Sequence, residues 1–313
     1  MPMTRLPELR LTDAWDTDPP ALDFVLPGLL AGTVGLIVGQ GGLGKSMLAM
    51  EAALSVAAGA DIFHLFGGQA PAQGPVAVIA AEDPNAIIRI RLRSLRDQCR
   101  EFEEHVREGF TLFPVYGHGV SFGLIEAGKP YLVPSGEWSM IETRLTQIRP
   151  RLLVIDTLNR LLGALSERDE GHMSMVLGMI ERLCAVIGCA ALLIHHTNKA
   201  SANTGQADEQ QAVRGSSALT DNCRWQTNLV PMTRDEAAGR GIDDRTRRLW
   251  VRSVLAKVNY GAPREDLWLK RHDGGMLLGG GEPPPLIARQ QQGGKEKKPK
   301  QGQGGDAANA IPW

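Results

Sequence analysis

Cysteine, net charge and long apolar runs are all scarce in this chain. Its four cysteines, Cys99, Cys184, Cys189 and Cys223, are scattered through 313 residues with no C-x-x-C pair. That argues against a zinc site and a disulfide framework, and makes a reducing cytoplasm the expected compartment. The 34 Lys and Arg nearly balance the 35 Asp and Glu, leaving a formal net charge of -1. With no overall basic field, contact with nucleic acid has to rest on local clusters or on an assembly that concentrates them. The most apolar stretch, residues 29–38, is interrupted by Gly32 and Gly35 and falls far short of a bilayer span. Residues 1–20 carry acids and prolines in place of a charged start and an apolar run, so neither a secretory leader nor a membrane partner is expected. No internal repeat is visible.

What remains is a globular chain, 43% hydrophobic, long enough for one large α/β domain or two modest ones. Residues 33–38 read as a buried strand and residues 45–58 as a helix of Ala, Leu and Met ending at Gly59. A second apolar run, 76–80, leaves through Ala81-Glu82-Asp83-Pro84, where proline opens the next helix. Residues 85–109 form one long charged amphipathic stretch, followed by a strand over 110–116. Residues 117–136 are glycine-rich with little periodicity and read as a first functional loop. A helix over 138–148, a strand over 151–156, a helix over 172–187 and a strand over 189–196 continue the βαβ rhythm. A second loop follows over 197–213. Strands over 224–230, 249–258 and 267–271, with a turn at Asn259-Tyr260-Gly261, read as antiparallel additions. Beyond Gly279 the Pro-, Gln-, Gly- and Lys-rich sequence cannot bury enough apolar surface to offset its ordering entropy. The expected plan is an arm over 1–20, an α/β core over 21–278 and a disordered tail over 279–313.

Gly39-Gln40-Gly41-Gly42-Leu43-Gly44-Lys45-Ser46 stands between the first strand and its helix, with Met47 next in that helix. Phosphate chains need several hydrogen-bond donors converging from one side. Glycines let the backbone N–H groups approach, and the helix N-terminus adds positive potential. Lys45 would neutralise the β- and γ-phosphates of ATP, and the Ser46 hydroxyl would ligate the Mg2+ that bridges them. Asp156, ending an apolar strand, fits the second group of the magnesium shell. Glu82 fits a base that orients and polarises water; Asp83 competes for the role, and Glu82 is favoured. His195 and His196 end a buried strand with side chains on opposite sides, so only one can face the nucleotide, and His196 is favoured as a γ-phosphate sensor. Arg214, Arg224, Lys257 and Arg271 are cations able to complete a site across a subunit boundary, and the sequence does not rank them.

The order of the motifs carries a resemblance. Leu22-Asp23-Phe24-Val25-Leu26-Pro27 precedes the first strand, then come the P-loop, Ala81-Glu82-Asp83-Pro84, Val154-Ile155-Asp156-Thr157-Leu158 and His195-His196. Arg214-Gly215-Ser216-Ser217, Asp221-Asn222-Cys223-Arg224-Trp225-Gln226, Lys257-Val258-Asn259-Tyr260-Gly261-Ala262-Pro263 and Arg271-His272-Asp273-Gly274-Gly275 follow. Over roughly residues 21–278 the chain resembles the RepA replicative helicases of IncQ-type plasmids, within the RecA-like hexameric helicases. The resemblance implies an α/β, RecA-like P-loop NTPase core with a mostly parallel central sheet flanked by helices and antiparallel strands added near the C-terminus. It also implies a homo-hexameric ring, ATP and Mg2+ between neighbours, and single-stranded DNA through the centre with 5′-to-3′ translocation. A replication initiator or a primase is a further partner in that setting. Carried over by position, Lys45 and Ser46 bind phosphate and magnesium, Glu82 is the base, Asp156 supports magnesium, His196 is the sensor and Arg224 matches the arginine finger. Arg91 matches a position kept basic near the DNA channel or the interface. Lys199, Arg214, Lys257, Tyr260 and Arg271 complete the expected interface or DNA set. The longer tail and the first loop depart from the family.

Together the two loops hold only Lys129 and Lys199 as basic residues, so six copies would have to concentrate that charge in a channel. The competing reading is a RecA-like DNA-binding ATPase acting as a recombination mediator or regulator without unwinding. A small-molecule kinase fits less well, since Glu82 suits water attack and no arginine-rich lid follows the second loop.

Overall fold

The computed structural model describes residues 8–126, 128–129, 131–196 and 217–287. Nine strands form its main sheet: β1 (Val34–Gly39), β2 (Val76–Ala80), β3 (Phe110–Pro114), β4 (Leu152–Asp156), β5 (Ala190–His196), β6 (Trp225–Pro231), β7 (Trp250–Val258), β8 (Leu267–Arg271) and β9 (Leu277–Leu278). Across the sheet they run β9-β8-β7-β6-β1-β5-β4-β2-β3. The six from β6 to β3 pair in parallel, and β7, β8 and β9 extend the sheet antiparallel.

The central strands are apolar runs because both of their faces are covered. Alternation along each strand divides the core in two. Ile37, Val78, Val154 and Leu192 face α1 (Lys45–Ala58) and α2 (Asn85–Leu95). Leu36, Ile79, Ile155 and Leu193 face α3 (Gly136–Ile148) and α4 (Glu170–Ile187). α1 is buried almost all round, which is why its sequence shows little amphipathicity. It starts behind Gly44, at φ 96°, and stops at Gly59, at φ 70°, whose N–H closes on Ser55 and Val56 carbonyls.

Three expectations are corrected here. Residues 224–230 are not an antiparallel addition: β6 lies parallel beside β1, Trp225 opposite Gly35 and Leu229 opposite Gly39. An apolar run does not report the direction of its partner, so only the topology separates the two cases. Residues 85–109 are not one helix. After α2 the bonding tightens, with Arg96 N–H on Arg93 O and Cys99 N–H on Arg96 O, and a 3-10 turn (Arg100–Phe102) precedes a short helix (Glu103–Gly109). The first loop holds an antiparallel hairpin, Gly123–Ile125 with Leu132–Pro134. It is anchored by Phe122, packed edge-on against Trp138 at 4.7 Å, and its strands are too short to show a period.

A helix at Leu11–Asp16 buries none of its residues, and two short helices, Arg234–Gly239 and Asp244–Arg247, join β6 to β7. Residues 279–287, assigned to the tail by composition, lie along the core through bonds from Gly279 N–H to Phe63 O and from Ile287 N–H to Gly239 O. The second loop, with Lys199 and Arg214, lies outside the described residues.

Candidate functional site

Parallel strands deliver their C-terminal ends to one edge of a sheet, and here that edge gathers the motifs. In register, Gly39 stands opposite His196 and Ala80 opposite Asp156. The P-loop leaves β1 and Glu82 follows β2, so both open onto one cleft of about 270 Å³, lined also by Asp83, Arg91, His196 and Arg271.

Lys45, only 6% exposed, folds back on its own loop. Its Nζ donates to Gly39 O at 2.9 Å and Gln40 O at 2.8 Å, and lies 3.5 Å from His196 Nδ1. Burial lowers its pKa, while the charges of Glu82 and Asp156 pull it back up. Asp156 is 3% exposed, and burial raises its pKa to about 6 against a hydrogen bond from Ser46. Its Oδ1 is buried with no hydrogen-bond partner. The face rule accounts for both strand ends. Leu152, Val154 and Asp156 share one parity and face α1; so do Ala190, Leu192, Ile194 and His196. His195 has the other parity and is 1% exposed on the opposite side. The structure thus brings His196, and not His195, to Lys45.

Asp83 is taken by Arg91, with Nη1 to Oδ2 at 2.6 Å. That pair corrects the expectation for Arg91: it lines the P-loop cleft of its own chain, because the first two turns of α2 point back over the end of β2. Arg271 is corrected in the same way. It ends β8, and its Nη2 donates to the carbonyl of Gly42 inside the P-loop at 2.9 Å. Arg224 and Lys257 lie at the other end of the sheet. Arg224 N–H binds Val34 O at the start of β1, and Asn259 N–H binds Arg224 O. Lys257 pairs with Gln226 and donates from Nζ to Thr220 O at 2.6 Å. Tyr260, 41% exposed, follows in the turn after β7. At ~3.3 Å per residue, the length of β1 puts about 17 Å between Arg224 and the P-loop.

Two features of the cleft are absent from the sequence expectations. Gly274 and Gly275, in the turn between β8 and β9, line it. Glu51, fully buried in α1, accepts from Leu277 N–H at 2.7 Å, and burial pushes its pKa up to about 8. A lone carboxylate among the Ala, Leu and Met of α1 was the readable signal.

The donor set fits a magnesium–triphosphate. Ahead of α1 there is room at Gly41 and Gly42, where an added Cβ would meet nothing within 4 Å. The buried ammonium is bonded only to neutral carbonyls and an imidazole, and beside Ser46 the partnerless Asp156 oxygen suits a hard cation.

Comparison with known proteins agrees with this geometry. The model of the AAA domain family matches residues 3–202. Among solved structures the chain is similar to the ATPase domain of a helicase, with 14% sequence identity and a TM-score of 0.51 over 79% of this chain and 84% of that one. At that identity the likeness speaks for the fold, which is the expected RecA-like P-loop ATPase arrangement.

Proposed function

The chain belongs to the AAA domain family, and from that premise we propose that it is a magnesium-dependent ATP hydrolase working as a ring-forming DNA helicase of the RepA type. The observation that carries the reading is a division of labour along the sheet. Lys45, Ser46, Asp156, Glu82 and His196 gather at one end, and Arg224 and Lys257 stand at the other.

In this reading phosphate oxygens of ATP replace the Gly39 and Gln40 carbonyls at the Lys45 ammonium, and the N–H groups of residues 41–46 cradle them. Leu43 and Met47 shape the loop and its helix start without contributing side-chain polarity. Ser46 and Asp156 hold Mg2+, which supplies charge neutralisation across the β- and γ-phosphates. Glu82 orients a water in line with the γ-phosphate and accepts its proton; Asp83 is committed to Arg91. His196, beside Lys45, senses the γ-phosphate and passes its presence to the chain that follows. An arginine about 17 Å from its own P-loop serves a neighbour's, so Arg224 acts in trans, and six copies close a ring around single-stranded DNA. Lys199 and Arg214 belong to the DNA-contacting or interface segment, with Lys257 and Tyr260 at the interface. A replication initiator or primase would load the ring, and plasmid or mobile-element replication is the setting the motif order favours.

The test combines light scattering, ATPase rate with and without single-stranded DNA, and strand displacement on a 5′-tailed fork. A ring, DNA-stimulated hydrolysis and unwinding are expected. A monomer whose ATPase ignores DNA removes the helicase reading and leaves the hydrolase. DNA stimulation without displacement points to the recombination mediator or regulator.

A further inference from the structure

Arg271 reaches the P-loop by an unusual route. β8 belongs to the antiparallel extension, three places from β1 in the sheet, yet its last residue places a guanidinium on the carbonyl of Gly42. The hairpin that follows is held from two sides. Leu277 N–H is bound by Glu51 of α1. The turn Asp273–Gly275 presses on α2 so closely that a Cβ at Gly274 would collide with the Ser94 side chain. Within the turn, His272 N–H binds Met276 O and Gly275 N–H binds His272 O. The tip that carries Arg271 therefore has little freedom to swing out toward a neighbouring subunit.

The guanidinium is also chemically incomplete. Its Nε is buried with no hydrogen-bond partner, although buried donors in folded proteins are nearly always satisfied. Of the two arginines lining the cleft, Arg91 is ion-paired with Asp83, and no carboxylate among the described residues pairs with Arg271. A neutral carbonyl is a weaker acceptor for a guanidinium than an anionic oxygen. Lys45 shows the same pattern, its charge parked on loop carbonyls.

We propose that Arg271 binds the triphosphate of its own subunit's nucleotide, exchanging the Gly42 carbonyl for a phosphate oxygen, with the β8–β9 turn closing that side of the cleft. This rests on the nucleotide-site reading above and reverses the expectation that Arg271 serves an interface or DNA.

Two measurements test it. The first is binding of the fluorescent analogue mant-ATP with Mg2+ to dilute, monomeric protein. Arg271→Ala should weaken it by tenfold or more, and Arg271→Lys by less. Arg248→Ala, at an exposed arginine far from the cleft, should leave it unchanged. Should Arg271→Ala fail to fold, Arg271→Gln, which keeps a neutral donor, should show the same loss. The second is subunit mixing. Arg271→Ala mixed with Lys45→Ala should recover no ATPase, because a residue acting within its own subunit cannot be supplied by a neighbour. Wild-type binding with an unaffected Arg271→Ala, or recovery on mixing, overturns the proposal alone; wild-type protein that binds no mant-ATP overturns it together with the nucleotide-site reading.

Discussion

Arg224 and Arg271 are equivalent in sequence, two cations among several able to complete a site. In the fold they stand at opposite ends of the sheet. β6 runs parallel to β1, so Arg224, just before it, falls level with the start of β1. β8 is reached through one antiparallel turn more and runs in the same direction, but Arg271 is its last residue and falls level with the P-loop. Position within a strand, combined with strand direction, decides which phosphate a cation can meet. Charge and residue type do not.

That contrast can be broken most directly at Arg224. If it acts on a neighbour's nucleotide, Arg224→Ala should cut the ATPase of the assembled ring by about 10^3-fold, the low end of what arginine fingers contribute. Binding of mant-ATP by dilute protein should be untouched. Loss of binding in the dilute protein would mean that both arginines serve the same subunit. A comparable effect is expected at the P-loop end from Glu82→Gln, which should lower kcat by about 10^2- to 10^4-fold with nucleotide affinity kept. Asp83→Asn should do much less to kcat, since Asp83 is paired with Arg91. If the two variants exchange effects, the base is Asp83.

The legible part of this molecule is the part encoded locally. The eight residues from Gly39 to Ser46, the strand ends at Glu82 and Asp156, and the two-fold alternation that separates His195 from His196 each follow from a short window of sequence. β1, α1, β2, β4 and β5 sit where periodicity and glycine punctuation put them. Direction and distant partners were not legible. Nothing in residues 224–230 tells that they lie parallel to β1, nor does anything around Arg271 tell that it crosses the sheet to Gly42. Glu51 stood out only as a lone acid in an apolar helix, because its partner, Leu277, is 226 residues away.

Glu51 gives the next test, confined to the Arg271 end. Its folded pKa of about 8 lies above the ordinary 4.5, and burial is the larger cause, the Leu277 hydrogen bond opposing it. The folded state therefore holds this proton more tightly than the unfolded chain. The contribution to stability is complete below about pH 4.5, falls as pH rises toward 8 and is gone above that. Glu51→Gln cannot ionise, so it should flatten the pH profile by a few kcal/mol between pH 5 and 9, measured by urea unfolding. At pH 9 the variant should be the more stable protein. Parallel profiles for the two proteins would show that the carboxylate is not held neutral in the core.

The smallest expected effect separates the two ends most cleanly. Gly274 adopts φ 71° and abuts Ser94, so Gly274→Ala meets both a left-handed backbone and a side-chain collision. The backbone strain costs about 1–2 kcal/mol, and the collision should lift the β8–β9 turn from α2, carrying Arg271 away from Gly42. The expected result is a severalfold loss of mant-ATP affinity in dilute protein, with ring assembly and the Arg224 end unaffected. Ser94→Gly in the same chain removes the obstructing side chain and should restore most of the affinity. If Gly274→Ala instead disrupts assembly and spares nucleotide binding, the turn belongs to the interface, and Arg271 joins Arg224 on the side of the molecule that acts on its neighbour.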